Sequence, residues 1–246
     1  MKIIEVQDYQ QMSRRAAEYI IKKVVQNPSI NLGLATGGTP IGTYKCLIED
    51  HQKSGTSYQK VTTFNLDEYI GLSGDNENSY RYFMDNQLFN YININKANTN
   101  VPSGIAADFQ EECKRYEDLI TKHGGIDLQI LGIGSNGHIG FNEPGTSFSS
   151  KTHIVELEES TIQANARYFN RIEEVPTKAI TMGISTIMKS KEILLLVSGE
   201  EKREALARLL DGEIIHESFP ASVLKNHPCV TIIADKVAIA DLKVQC

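Results

Sequence analysis

The chain has 246 residues, 41 % of them apolar and 23 % charged, ordinary values for a globular protein that buries a full core. Its net charge of −6 and pI near 5.6 argue against nucleic acid or an anionic membrane as the main partner. Any phosphate site must therefore be built locally. The N-terminal MKIIEVQDYQ carries no secretory signal pattern, and no run of about eighteen apolar residues reads as a membrane span. Cys46, Cys113, Cys229 and Cys246 lie far apart and read as reduced thiols of a cytoplasmic protein. The six histidines show neither H-x-x-x-H nor H-E-x-x-H spacing, so no metal site is expected.

In chain order, a short strand at 3–6 precedes Asp8 and Gln11, a D-x-x-Q start signal for a helix running to about Gln26 and closed by Asn27-Pro28. Residues 30–35 form an apolar run, 36–39 a loop, and Pro40 stands where a first helical residue would, with Thr39 as its N-cap. Strand and helix patterns then alternate: a strand at 61–66, helices at 79–91 and 107–123, and Gly124-Gly125 as a stop. A buried strand follows at 126–133, a shorter one at 152–157, and a helix at 161–168. Strands at 179–184 and 193–197, a helix at 200–210 and a last strand at 230–234 complete the series. This alternation predicts one α/β domain over residues 1–246, with an open, mainly parallel sheet and helices on both faces, Rossmann-like in class. Ligands bind beyond the carboxyl ends of such strands, so the loops after strands should carry the chemistry.

Three such loops stand out. Leu34-Ala35-Thr36-Gly37-Gly38-Thr39-Pro40 leads a strand through two glycines into a helix start, which suits a phosphate held by backbone N–H groups and the helix dipole. It lacks Walker A spacing. Phe64-Asn65-Leu66-Asp67-Glu68-Tyr69 places two acids at a strand end, where one can serve as a general base; both could instead cap the next turn. In the third loop, residues 131–145, Gly132, Gly134 and Gly137 match G-x-G-x-x-G, and Glu156 follows at about the dinucleotide distance. Gly140, Pro144 and Gly145 interrupt the helix which that fingerprint requires, so the loop reads instead as a rigid platform for Asn136, His138, Asn142 and Glu143.

Together, LATGGTP, FNLDEY, GSNGHIGFNEPG and NARYF at 165–169 resemble the glucosamine-6-phosphate deaminase family, and the resemblance covers nearly the whole chain. It implies an enzyme that opens the ring of glucosamine 6-phosphate, isomerises it and releases ammonia to leave fructose 6-phosphate, in amino-sugar catabolism and without cofactor or metal. It implies Asp67 as proton carrier, His138 as the ring-opening group and Glu143 as its support. It places phosphate on Thr36, Gly37, Gly38 and Thr39, with Arg167 and Lys202. Some family members have Asp where Asn136 stands; Asn cannot ionise, so the expected role is to orient the imidazole by hydrogen bonding. The resemblance also implies a helical lid over residues 158–176. Some members are hexamers with an allosteric phosphate site after the F-N-E-P loop. Here that stretch is Lys151-Thr152-His153-Ile154-Val155, with Val155 in place of a basic residue and a short tail. A monomer without allosteric activation is therefore expected, the hexamer being the alternative.

Two rival readings are a 6-phosphogluconolactonase-like hydrolase, which does not need the D-E-Y carboxylate to shuttle a proton, and a sugar-phosphate sensor without chemistry. The second is disfavoured by the acidic charge, by the absence of a helix-turn-helix pattern ahead of the α/β pattern, and by the presence of Asp67, His138 and Glu143.

Overall fold

The structure, a computed structural model, describes residues 1–166, 169, 171–212 and 214–240. In chain order its elements are β1 (Lys2–Val6), α1 (Tyr9–Gln26), β2 (Asn31–Leu34), α2 (Gly38–Ser54), β3 (Thr62–Asn65), β4 (Asp67–Tyr69) and α3 (Tyr80–Met84), which a π-helical turn, Asp85–Phe89, continues. Then come β5 (Thr99–Asn100), α4 (Phe109–Lys122), β6 (Leu128–Leu131), β7 (His153–Glu156), α5 (Glu159–Asn165) and β8 (Lys178–Thr181). The chain continues through α6 (Ile184–Ile187), β9 (Glu192–Val197), α7 (Arg203–Asp211), β10 (Val230–Asp235) and α8 (Lys236–Ile239).

Seven strands pair in parallel in the order β1-β10-β9-β6-β2-β3-β5. The alternating strand pattern explains the layers. Along β9, Ile193, Leu195 and Val197 enter one apolar cluster, while Leu194 and Leu196 enter the other. The first cluster is closed by α4, α7 and α8 through Tyr116, Leu206 and Ile239; the second is closed by α1 and α2 through Met12, Ile20 and Tyr44. Strands buried on both faces are continuous apolar runs for this reason. Each fully buried Leu or Ile side chain stabilises the fold by roughly 1.5–3 kcal/mol.

The start signal of α1 is built as the sequence implies: the Asp8 carboxylate accepts from Gln11 N at 2.8 Å, and the Gln11 side chain accepts from Gln7 N at 2.6 Å. Three readings of the sequence need correction. Helix α2 begins at Gly38, and its N-cap is Gly37, not Thr39. Gly37 has φ 87° and ψ −174°, a conformation open essentially only to glycine, so the chain turns earlier than a Thr cap would allow. The helix read at 79–91 holds α-geometry only through Met84 before the π-turn. Last, the runs at 152–157 and 179–184 do not join the parallel sheet. They form β7 and β8, which pair antiparallel with β4 in a second, three-stranded sheet. The apolar run through Leu66 thus crosses from one sheet to the other, with Leu66 N bonded to Leu34 O (3.1 Å) and Leu66 O accepting from Met182 N (2.6 Å).

Candidate active site

From β2 the chain moves to β3 and β5 on one side, then returns to β6 on the other. The carboxyl ends of β2 and β6 therefore flank the switch point of the sheet, where ligands of such folds bind. A cavity of about 230 Å³ opens there, lined by Thr36, Gly37, Gly38, Thr39, Asp67, Tyr80, His138, Thr161, Asn165 and Lys202 among others. That space is below the roughly 300–1,000 Å³ of typical ligand pockets, too small for a dinucleotide. A larger groove of about 790 Å³ lies between α1 and α2, but it holds no histidine, so chemistry is assigned to the smaller cavity.

The phosphate-loop residues sit at the start of α2, where Gly37 offers no side-chain cap. The first-turn N–H groups of Gly38 and Thr39 are left to a ligand, and Pro40 has none to offer. Lys202 reaches the same cavity from the 3₁₀ turn after β9. Arg167 lies outside the described residues.

Asp67 stands where the two sheets meet. It is 5 % exposed, and burial first, then the neighbouring Glu68 charge, pushes its carboxyl up to about 8. The two acids of FNLDEY divide the roles left open above. Glu68 accepts backbone N–H bonds from Tyr69, Tyr80 and Arg81, each at 2.9 Å, and so caps α3. Burial still pushes it up to about 7, against the pull of those three donors. Asp67 faces the cavity.

The third loop is held against Asp67 by bonds to β8 and the residue after it: Phe141 N donates to Thr181 Oγ1 (3.1 Å), and Asn142 Nδ2 donates to Met182 O (2.9 Å). No helix opens at Gly137; a turn follows instead, as Gly140 and Pro144 imply. Gly134 is required by space, since a Cβ there would meet the His138 ring at 2.5 Å. His138 Nδ1 lies 3.3 Å from Glu143 Oε2, near enough for an ion pair but not aligned as a hydrogen bond. Glu143 also accepts from Asn136 Nδ2 at 2.8 Å and from Thr161 Oγ1 at 2.6 Å. Burial would raise this carboxyl, but His138, Thr161 and Asn136 outweigh it and hold Glu143 below its ordinary range.

Asn136 does not bind the imidazole directly, as the sequence reading had it. Its amide fixes Glu143, and its Oδ1 accepts from His138 backbone N at 3.1 Å. The orienting effect passes through the carboxylate, because the short Asn side chain folds back on its own turn. Thus Thr36, Gly37, Gly38, Thr39, Asp67, His138 and Lys202 line one cavity, with Asn136 and Glu143 supporting His138. The sequence reading missed Tyr80, whose hydroxyl bonds that of Tyr69 (3.2 Å), and Thr161 and Asn165 of α5. For Tyr80 the signal was Ser79, which caps α3 and places the next side chain; Thr161 had none. Among the described residues no group of three or more metal-ligating side chains is gathered, and no helix is long and apolar enough to cross a membrane.

Residues 7–232 match the family model of glucosamine-6-phosphate isomerases/6-phosphogluconolactonase. The chain belongs to this family. Within it, a glucosamine-6-phosphate deaminase of Halalkalibacterium halodurans is 58 % identical over 99 % of both chains. One of Clostridium perfringens is 51 % identical over 99 % of this chain and 100 % of its own. A solved monomeric glucosamine-6-phosphate deaminase superposes with a TM-score of 0.96 at 52 % identity, covering 98 % of this chain and 99 % of that one. The 6-phosphogluconolactonase of Trypanosoma brucei reaches 0.81 at 19 % identity over 98 % of each chain, which is a likeness of fold.

Proposed function

We infer that this chain is an enzyme that converts glucosamine 6-phosphate and water to fructose 6-phosphate and ammonia. The observation that carries the reading is Asp67: a buried carboxyl, pushed up to about 8, in the cavity that also holds the glycine loop and His138. Full-length relatives at 51–58 % identity carry the same activity in their names, whereas the lactonase likeness rests on fold alone.

The phosphate sits on the Gly38 and Thr39 N–H groups and Lys202, with Arg167 as a further cation, far from the reacting carbons, and so supplies positioning energy. His138 takes the proton of the O1 hydroxyl and returns it to O5 as the C1–O5 bond breaks, giving the open aldehyde. Glu143 stabilises the imidazolium formed in between. The Asp67 carboxylate then removes the C2 proton; the electron pair forms C1=C2 and charge develops on O1. Asp67 returns the proton to C1 as the nitrogen lone pair forms C2=N; water adds at C2, one of its protons neutralises O1 and the other passes to the nitrogen, and ammonia leaves as C2=O forms. One carboxylate serves both carbons because they are bonded neighbours. A raised pKa suits a group that must both take and give a proton near neutral pH.

The segment 158–176 acts as a lid. The observations behind this are the Thr161 bond to Glu143 and the Phe169 ring packed on Tyr69, 5.9 Å between centroids. The protein works as a cytoplasmic monomer with hyperbolic kinetics. A hexameric mass by light scattering, with a sigmoidal rate curve made hyperbolic by N-acetylglucosamine 6-phosphate, would overturn that part.

The deciding experiment follows ammonia and fructose 6-phosphate in parallel for wild type and Asp67→Asn. Both products from wild type and neither from the variant support the reading. Binding of the sugar phosphate without ammonia release, together with hydrolysis of 6-phosphogluconolactone, would replace it with the lactonase reading.

A further inference from the structure

Helix α1 touches the phosphate loop from behind through one side chain. Tyr9, the first residue of α1, donates its phenol hydroxyl to Gly38 O at 3.0 Å, and the same hydroxyl accepts from Gly42 N at 2.9 Å. Gly38 and Gly42 are four residues apart, so the phenol bridges the two ends of a first-turn hydrogen bond of α2. The approach is close enough that a Cβ on Gly42 would stand 2.2 Å from Ser13 Oγ and 3.1 Å from Tyr9 Cε1. Gly38 is the residue common to the outer groove and the inner cavity.

The consequence follows from peptide geometry. Gly38 C=O and Thr39 N–H belong to one planar trans peptide and point in opposite directions. A donor that fixes the carbonyl on the outside therefore fixes the N–H on the inside, and polarises it as a stronger donor. Pro40 removes the next donor and Gly37 supplies no side-chain cap, so Thr39 N–H is one of only two first-turn groups left for an anion. We propose that Tyr9 is a positioning residue for the phosphate of the substrate: its hydroxyl sets the Gly38–Thr39 peptide so that Thr39 N–H faces the phosphate oxygen.

The inference rests on the proposed phosphate site, and its test separates the two. Tyr9→Phe keeps the ring and removes only the hydroxyl. The expected result is a KM for glucosamine 6-phosphate about three- to ten-fold higher, the range for loss of one hydrogen bond, with kcat changed less than about two-fold. The dissociation constant for inorganic phosphate, measured by calorimetry without turnover, should rise in parallel. Gly42→Ala, which forces Ser13 and Tyr9 away, should raise both constants in the same direction. A Tyr9→Phe enzyme with unchanged KM and unchanged phosphate affinity overturns the inference, as does one that loses kcat and melting temperature while its phosphate affinity holds. If wild type itself neither binds inorganic phosphate nor releases ammonia, it is the site reading that fails.

Discussion

Asp67 lines the cavity and Glu143 stands behind His138; each is 5 % exposed, and they are tuned in opposite directions. Asp67, at a strand end, gains only burial and a like charge and is pushed up to about 8. Glu143, in a glycine-rich loop, is also buried but is held low by His138, Thr161 and Asn136. Asp67 is the more fully desolvated and has a like charge beside it, whereas Glu143 is less desolvated and has donors, so one is a group ready to exchange protons and the other stays charged. Glu68, beside Asp67 on the same strand, likewise draws three donors, from Tyr69, Tyr80 and Arg81, whereas burial and the Glu68 charge are what act on Asp67.

The comparison breaks first at Asp67. Asp67→Asn should lower kcat by about a thousand-fold or more, within the range for a lost acid–base group, and ammonia release reads it. Glu143→Gln should cost about a hundred-fold by leaving the imidazolium without a counter-charge. Supplying open-chain substrate should restore part of that loss, and no restoration would move Glu143 out of ring opening.

Asn136→Ala should reduce kcat about three- to ten-fold through loss of one bond to Glu143; wild-type kinetics would show that Asn136 orients nothing. For a base that works ionised, kcat/KM should fall as pH drops below about 8. Glu68→Gln, which removes the like charge, should move that limb to lower pH; an unmoved limb would break the assignment to Asp67.

The smallest effect is on stability. The folded pKa of Asp67 lies above its unfolded value, so the folded state binds the extra proton. Its stability contribution is present below about pH 4 and is lost as pH rises through about 8. Asp67→Asn should therefore melt several degrees higher than wild type at pH 8, at roughly 2–4 °C per kcal/mol, and with little difference at pH 4. Equal shifts at both values would mean that the folded pKa of Asp67 is not raised above its unfolded value.

Much of this was legible along the chain. The alternation of strands and helices depends on local periodicity, and the start of α1 on Asp8 and Gln11; both are properties of neighbouring residues. The glycine loop and the acids of FNLDEY announce themselves by residue type, since a phosphate cradle needs glycines and proton transfer needs a carboxylate. Residue type and position left open which of Asp67 and Glu68 would face the cavity, because both sit at the same strand end and could cap the next turn; only the family resemblance pointed to Asp67. The tertiary structure decides it by bringing the N–H groups of Tyr80 and Arg81 to Glu68 and leaving Asp67 at the junction of two sheets. The second sheet, Thr161 on Glu143, and Tyr9 behind the phosphate loop are likewise matters of packing between residues tens of positions apart or in separate elements. Local propensity carries no record of such pairings; they exist only once the two faces of the parallel sheet have buried their apolar side chains and fixed where each helix end points.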